Sequence, residues 1–336
     1  MSKVEFWSDQ GCSTRVELRE GQSLLEGLLS AGQKIPNSCR AGLCHACLMR
    51  ATSDSVIPSA AQLGLSKLQC QQHMLLACQC FPQQALSVSL PEHDDDWLGT
   101  VSGLRKYNDQ VLELSLKVDG HWQAGQHVLL WRDEVHARPY SIASRCDADK
   151  QIVLHIKRHR QGLVSDWCHD QLAIGDTVGL SKPEGHCCYP RDDGSAELIL
   201  VATGTGLAPL YGVLLEAFAQ GHEGNISLYI GETNVKSFYL IEELLELADS
   251  HSNLSVHLVL SESGVAVPSK WPLLVGELAS LVVEKHPRLR GVKVFLCGNP
   301  RMVEELTKRC FFAGARRGDI LSDAFVSAVQ TPQVED

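Results

Sequence analysis

Cys39-Arg-Ala-Gly-Leu-Cys44-His-Ala-Cys47 is the stretch that decides the fold of the first part of this chain, and a fourth cysteine follows it at Cys78. The spacing C-x4-C-x2-C plus a distant cysteine is that of a plant-type [2Fe–2S] centre. Four thiolates hold two irons only if a tight loop wraps around them, and the small residues Ala41 and Gly42 suit such a loop. The sequence therefore predicts Cys39, Cys44, Cys47 and Cys78 as the ligands of a one-electron centre.

The fourth ligand has three competitors in the sequence, which are Cys12, Cys70 and Cys80. We prefer Cys78 because it lies between a leucine-rich segment and the turn at Phe81-Pro82.

Zinc is the main alternative metal. Cys44 and Cys47, together with Cys70 and His73, have the spacing of a Cys3His structural zinc site. That site would leave Cys39 without a function, so we favour the iron–sulfur cluster. A Rieske centre is excluded because His45 directly follows Cys44, which does not give the C-x-H half that such a centre needs. We expect His45 to be an exposed bystander or to lie at a docking face.

The composition is that of a soluble globular protein, with 336 residues, 44% hydrophobic and 21% charged. The net charge of −10 without a basic cluster argues against nucleic acid and acidic membrane surfaces as partners. No apolar run reaches the ~18 residues that span a bilayer, and no signal peptide is recognisable. Thirteen cysteines in so long a chain do not suggest a secreted disulfide framework, so we expect a cytoplasmic protein.

Three segments with different patterns of strands and helices predict three domains, at 1–92, 97–190 and 195–336. The first has strands at 4–7 and 13–18 around Asp9, Gln10 and Gly11, a helix at 23–31 and a closing strand at 85–90. An acidic stretch at 91–96 is the predicted linker.

The second segment consists of short strands, which favours a small antiparallel barrel. These strands are predicted at 98–107, 111–117, 127–131, 152–157 and 177–180. A polar break at 191–195 follows. The third segment then alternates strand and helix, which indicates a parallel sheet covered by helices on both faces. Its strands are predicted at 198–203, 226–230, 254–260, 292–297 and 320–326, and its helices at 207–219, 238–248 and 302–312.

Two motifs in the second segment suit a phosphate-bearing ligand. In Arg138-Pro139-Tyr140-Ser141, a guanidinium can clamp a phosphate, a tyrosine can stack and a small hydroxyl can approach a ring nitrogen. Alone, this tetrapeptide is a weak signal. Gly162-Leu163-Val164-Ser165 opens a predicted helix whose N–H groups can bind a pyrophosphate, although on this motif alone an ordinary helix cap is the favoured explanation.

Two turns in the third segment lie at the carboxyl ends of predicted parallel strands, where open α/β sheets bind ligands. Thr203-Gly204-Thr205-Gly206 joins a strand to a helix, but it lacks the third glycine of the full dinucleotide fingerprint. Cys297-Gly298 ends a later strand at another helix start. Each turn is a weak signal, whereas the ordered pair is specific.

These residues together resemble the ferredoxin–NAD(P)H reductase superfamily with an N-terminal plant-type ferredoxin domain, the type found as reductase components of multicomponent oxygenases. The resemblance covers nearly the whole chain. It implies a β-grasp [2Fe–2S] domain, a Greek-key β-barrel that binds FAD and a Rossmann-like α/β domain that binds NAD(P).

The resemblance also implies roles for the site residues. Arg138 would hold the FAD phosphates, Tyr140 would lie along the flavin and Ser141 would approach its N5. Residues 162–165 would form a second phosphate-binding turn and residues 203–206 the nicotinamide-nucleotide turn. Cys297 and Gly298 would lie beside the nicotinamide, and Phe325 would cover the flavin ring, although a core strand position also explains Phe325. Ser141, Cys297 and Phe325 are thus the predicted catalytic residues.

The implied function is transfer of electrons from NAD(P)H through FAD and the cluster to a protein acceptor such as an oxygenase component. Glu232, after the second strand of the third segment, favours NADH because an acidic residue can bond the ribose 2′-OH, but Lys236 nearby leaves NADPH open. The alternatives are a free-standing flavin, ferric or quinone reductase and a zinc-stabilised, non-catalytic binding module.

Overall fold

The computed structural model describes residues 2–8, 11–91, 96–190, 194–261 and 268–326. The described residues form three separate sheets, one with five strands and two with six. Residues 92–95 of the predicted first linker and 191–193 of the second break lie outside the described residues, as do Asp9 and Gln10 of the predicted first turn.

The N-terminal sheet has the strand order β2-β1-β5-β3-β4. Its strands are β1 (Ser2–Trp7), β2 (Ser13–Leu18), β3 (Leu48–Ala51), β4 (Met74–Leu76) and β5 (Leu86–Ser89). Strand β1 pairs antiparallel with β2 and parallel with β5. Helix α1 (Leu24–Ser30) begins at a Ser23–Glu26 capping box, and its leucines bury one face against the sheet. A second helix, α2 (Lys67–Gln71), precedes β4. A helix packed on a mixed sheet confirms the predicted β-grasp domain.

The middle sheet is antiparallel throughout, in the order β10-β7-β6-β11-β8-β9. Its strands are β6 (Trp97–Lys106), β7 (Val111–Val118), β8 (His127–Trp131), β9 (Ala137–Ser141), β10 (Gln151–Lys157) and β11 (Thr177–Leu180). An antiparallel bridge between Ile142 and Leu154 joins the two edges, which closes the sheet into the predicted barrel. Helix α3 (Leu163–Asp170) follows β10.

Strand β9 is absent from the sequence prediction, although it carries residues 138–141. A proline inside a run argues against a central strand, because it cannot donate to the ladder. Strand β9 lies at the end of the strand order, and Pro139 faces Leu129 of β8. The proline is therefore tolerated at an edge.

The C-terminal sheet is fully parallel, in the order β15-β14-β13-β12-β16-β17. Its strands are β12 (Leu198–Thr203), β13 (Ile226–Glu232), β14 (Leu254–Leu260), β15 (Leu273–Val275), β16 (Lys293–Gly298) and β17 (Ile320–Ala324). Its helices are α4 (Leu207–Ala219), α5 (Ile241–Ser250), α6 (Leu278–Lys285) and α7 (Pro300–Phe312). Two separate apolar clusters cover the two faces of this sheet, one including α4 and α5 and the other α6 and α7. The predicted α/β domain is confirmed.

Two boundaries in this domain differ from the sequence prediction. Helix α5 begins only at Ile241, because Leu240 before it has a left-handed φ of 61°. Strand β17 ends at Ala324, so Phe325 follows the strand and is not part of it. The strand order reverses at β12, which has β13 on one side and β16 on the other. This is the switch point at which such sheets form a ligand crevice.

Candidate active site

The four predicted ligand cysteines converge in the N-terminal domain. Cys39, Cys44 and Cys47 lie in the loop between α1 and β3, which we call the cluster loop (residues 39–47), and Cys78 lies in a short turn after β4. All four are buried. Arg40 and Gly42 have φ values of 53° and 76°, so the loop curls tightly. The Cys39 sulfur accepts the backbone N–H groups of Ala41, Leu43 and Cys44 at 3.3–3.4 Å.

The thiols interact in two pairs. A hydrogen bond between the side chains of Cys39 and Cys44 lowers the pKa of Cys39 to about 5 and raises that of Cys44. A hydrogen bond between Cys47 and Cys78 raises the pKa of Cys47 and lowers that of Cys78 to about 7. Two pairs of sulfurs provide two ligands for each iron of a [2Fe–2S] cluster, so the residues present fit this cofactor.

The zinc alternative requires four donors around one ion. In the ranges that the structure describes, no three His, Cys, Asp or Glu side chains are arranged to hold a single metal ion. The set of Cys44, Cys47, Cys70 and His73 is therefore not assembled as a Cys3His site.

A cleft of about 1870 Å³ lies between the three domains, and each domain contributes to its walls. Most of the predicted site residues line it: Cys39, Cys44, Arg138, Pro139, Tyr140, Ser141, Gly162, Leu163, Val164, Ser165, Thr203, Gly204, Thr205, Glu232, Gly298 and Phe325. Among the described residues, the predicted site residues that are not part of the lining are Cys47, Cys78, Gly206 and Cys297. The predicted flavin, nucleotide and cluster residues thus meet in one place.

Strand β9 places its four motif residues along this cleft. Arg138 donates from Nη1 to the backbone oxygens of Ala137 at 2.7 Å and Asn37 at 3.3 Å. Burial raises the pKa of the Tyr140 phenol, which therefore stays neutral. The Ser141 hydroxyl donates to Oδ2 of Asp323 at 3.2 Å, across the boundary between the barrel and the α/β domain.

The start of α3 requires a glycine. A Cβ on Gly162 would lie 2.2 Å from the Ser165 hydroxyl and 2.8 Å from the His159 carbonyl oxygen. The Ser165 hydroxyl accepts the N–H of His159 at 3.1 Å, so its partner is within the turn. The first N–H groups of the helix remain as the feature of this turn that suits an anion.

The turn after β12 carries an unexpected contact. Oε1 of Glu232 accepts the backbone N–H of Gly204 at 3.0 Å, so in this structure the carboxylate is bonded to the predicted phosphate turn itself. Burial raises the pKa of Glu232 to about 7, while Lys157 and the Gly204 N–H oppose that shift. Nζ of Lys157 lies 3.6 Å from the position of a Cβ on Gly204, so a cation of the barrel faces this turn.

In the turn after β16, Gly298 lines the cleft, whereas the thiol of Cys297 is buried and does not. Gly298 has a φ of 122°, and a Cβ there would lie 2.4 Å from the Thr203 carbonyl oxygen. Cys297 is fully buried, with its sulfur 3.4 Å from that of Cys187. A Cβ on Gly206 would lie 2.2 Å from the Cys297 carbonyl oxygen, so Gly206 permits close packing of the two turns. The N–H of Phe325 donates to the Gly298 carbonyl at 2.8 Å.

The comparisons with known proteins follow the same division of the chain. Residues 8–83 match the 2Fe-2S iron-sulfur cluster binding domain, residues 106–189 the oxidoreductase FAD-binding domain and residues 200–308 the oxidoreductase NAD-binding domain. The chain is 31% identical over 318 residues to the ferredoxin–NAD(P)+ reductase component of the naphthalene 1,2-dioxygenase system of Pseudomonas putida, which covers 91% of this chain and 94% of the relative. The chain belongs to the ferredoxin–NAD(P)+ reductase family.

Two further relatives of this reductase agree. The reductase subunit of an aromatic O-demethylase from Amycolatopsis sp. is 33% identical over 306 residues, covering 86% of this chain and 90% of the relative. The crystal structure of the Amycolatopsis cytochrome P450 reductase GcoB matches with a TM-score of 0.66 and 29% identity, covering 96% of this chain and 98% of that one. The chain is an NAD(P)H-dependent oxidoreductase with domains for a [2Fe–2S] cluster, FAD and NAD. Within the described ranges, no helix has the length and apolar character needed to cross a membrane.

The reductase contains a site residue that sequence reasoning missed. Asp323 is on β17 and bonds to Ser141, the residue predicted to approach the flavin N5. Burial raises the pKa of Asp323, and His127 and the Ser141 hydroxyl oppose the shift. Its position two residues before Phe325 is the signal that could have pointed to it.

His45 is also more than a bystander. Its side chain is 14% exposed, and Nδ1 contacts Oε2 of Glu184 in the barrel. The expectation of an exposed histidine was wrong, because the cluster loop packs on the barrel, where Cys39 and Cys44 join an apolar cluster with Leu129 and Ala137.

Proposed function

We propose that this reductase takes electrons from NADH and delivers them to the oxygenase component of a multicomponent system. The observation that supports the route most strongly is the shared cleft. Two predicted cluster ligands, Cys39 and Cys44, line the same cleft as Ser141 and Gly298. Entry and exit of electrons are therefore adjacent within one chain.

The protein's own residues bind and orient in this proposal. Bound FAD supplies the chemistry that converts a two-electron hydride into single electrons. Arg138 and the N-terminus of α3 would hold its phosphates, Tyr140 would pack along its ring system and Phe325 would cover the ring. Ser141 presents its hydroxyl near N5, and Asp323 holds that hydroxyl in place. Gly298 lets the nicotinamide approach, with Cys297 supporting the turn from behind.

NADH is the proposed donor because of Glu232. Its carboxylate lies at the end of β13, beside the Gly204 turn, where an ionised group would repel a 2′-phosphate and accept a bond from a 2′-hydroxyl. The 2′-phosphate of NADPH would be repelled by this negative charge.

The proposed acceptor follows from the relatives. The relatives reported above are a component of a naphthalene dioxygenase system, a subunit of an aromatic O-demethylase and a reductase of a cytochrome P450. We place the domains at 1–92, 97–190 and 195–336. We place the protein in the cytoplasm, where thirteen unpaired cysteines and a thiolate-bound cluster suit a reducing compartment.

The test is a comparison of acceptors and donors on the purified protein. Reduction of cytochrome c, which takes one electron at a time, should proceed with NADH and much more slowly with NADPH. A pull-down from the source cell should recover an oxygenase component. Faster turnover with free flavin, ferric or quinone acceptors and no recovered protein would favour a free-standing reductase instead.

A further inference from the structure

One carboxylate of the barrel is bound by two side chains of the ferredoxin domain. Oε2 of Glu184 contacts Nδ1 of His45. Oε1 of Glu184 accepts the side-chain N–H of Gln69 at 2.8 Å. His45 lies inside the cluster loop, between Cys44 and Cys47, and Gln69 lies on α2. We call these three residues the latch.

The backbone conformation is fixed both at Glu184 and at His45. The N–H of Glu184 donates to the His127 carbonyl at 2.9 Å, and the N–H of His127 donates to the Glu184 carbonyl at 2.8 Å. His45 has a φ of 55°, a conformation that non-glycine residues seldom adopt. The contact therefore joins two segments whose backbone conformations are already fixed.

The latch is connected to the part of the barrel that is proposed to bind the flavin. His127 begins β8 and pairs across the ladder with Ser141 of β9. The cluster loop is thus connected through Glu184 and His127 to the residue that is proposed to approach the flavin. None of the three latch residues is among the described residues that line the cleft, so we expect the latch to act through the position of the loop.

Another polar contact between these two domains lies beside the cluster loop. The Arg138 guanidinium bonds to the Asn37 carbonyl at 3.3 Å, and the centre is the small apolar cluster of Cys39, Cys44, Leu129 and Ala137. Small interfaces between domains allow relative motion by default. A side-chain contact that joins the loop itself to the barrel is therefore well placed to decide how long the loop stays seated.

We propose that Glu184 is a positioning residue that keeps the cluster loop seated on the flavin side of the barrel, so that its loss slows reduction of the cluster without slowing reduction of the flavin. The inference rests on the proposed electron route. Electron transfer weakens steeply with distance, so reduction of the cluster depends on how the loop is seated, whereas hydride transfer takes place between nicotinamide and flavin and does not involve the cluster loop.

The test uses the full-length holoprotein with Glu184→Gln, which keeps the size and removes the charge, and Gln69→Ala, which removes the second bond. Asp149→Asn is the matched control, since Asp149 is an exposed carboxylate of the barrel outside the cleft. Hydrogen–deuterium exchange of residues 39–47 reports loop seating without turnover. Stopped-flow absorbance after mixing with NADH separates bleaching of the flavin from reduction of the cluster.

We expect Glu184→Gln to speed amide exchange in residues 39–47 about tenfold and to slow cluster reduction by a similar factor. Flavin bleaching should match that of Asp149→Asn, and Gln69→Ala should show a smaller effect of the same kind. Unchanged exchange, unchanged cluster reduction or an equal loss of flavin bleaching would each overturn the proposal. Should the wild-type cluster not be reduced by NADH at all, the proposed function fails, while the exchange measurement still tests the latch.

Discussion

Replacing Arg138 with lysine should weaken FAD binding while leaving the cluster in place. Both contacts that the structure shows for this guanidinium, to the Ala137 and Asn37 carbonyls, use Nη1. The parallel N–H groups on Nε and Nη2 form the edge that suits a bidentate phosphate. Lysine keeps the charge but loses the second parallel bond.

The magnitude follows from that one lost bond. A hydrogen bond to a charged group contributes about 1.5–3 kcal/mol, and each 1.4 kcal/mol is about tenfold in Kd. The Kd for FAD should therefore rise about 10- to 140-fold. The assay is titration of flavin-free protein with FAD, followed by quenching of flavin fluorescence.

The matched control is Arg145→Lys, because Arg145 pairs with Glu216 at 3.0 Å and lies outside the described lining of the cleft. This control should bind FAD like the wild type, and both variants should keep the cluster absorbance. An Arg138→Lys protein that binds FAD within twofold of the control would refute the assignment of Arg138 to the phosphates.

Three further predictions concern the cluster, the flavin edge and the nucleotide turn. Cys78→Ser should abolish NADH-dependent cytochrome c reduction and labile sulfide but keep FAD, whereas Cys12→Ser, at an exposed cysteine, should change neither; a full complement of sulfide in Cys78→Ser would exclude Cys78 as a ligand. Ser141→Ala removes the bond to Asp323 and should slow flavin bleaching by NADH about tenfold, with Ser141→Thr restoring most of the rate; equal rates for all three proteins would contradict the role of the hydroxyl. Burial raises the pKa of Glu232 to about 7, so the carboxyl is neutral below that pH and ionised above it, where it repels a 2′-phosphate; the KM for NADPH should rise relative to that for NADH as the pH passes 7 in the wild type and the ratio should stay flat in Glu232→Gln, and a parallel pH profile in the variant would count against this interpretation.

The features that could be predicted from sequence are those encoded by local spacing. Three of the predicted cluster ligands, Cys39, Cys44 and Cys47, follow from C-x4-C-x2-C because they share a loop of only nine residues, whereas Cys78 needs a separate argument. Helix α4 was predicted at 207–219 and has those bounds, since a glycine turn precedes it and its apolar periodicity is uninterrupted. The order of the cofactor motifs along the chain similarly indicated the family that the comparisons show.

The features that were missed depend on residues far apart in the chain or on very short elements. The contacts of Asp323 with Ser141 and of Glu184 with His45 arise only when separate domains pack together. Strand β15 has three residues, too few for a periodic pattern, and α6 after it was not predicted. Glu232 could be singled out by its place at the end of β13 and its role stays a prediction, but its bond to the Gly204 N–H depends on a turn 28 residues earlier.

The most direct test of the whole account is electron paramagnetic resonance of the protein frozen shortly after anaerobic mixing with excess NADH. The proposed route predicts the signal of a reduced [2Fe–2S] centre, growing in after the flavin is bleached and approaching one spin per chain. A cluster that is reduced by dithionite but gives no signal with NADH would contradict the claim that electrons cross from the nucleotide cleft to the cluster loop within this chain.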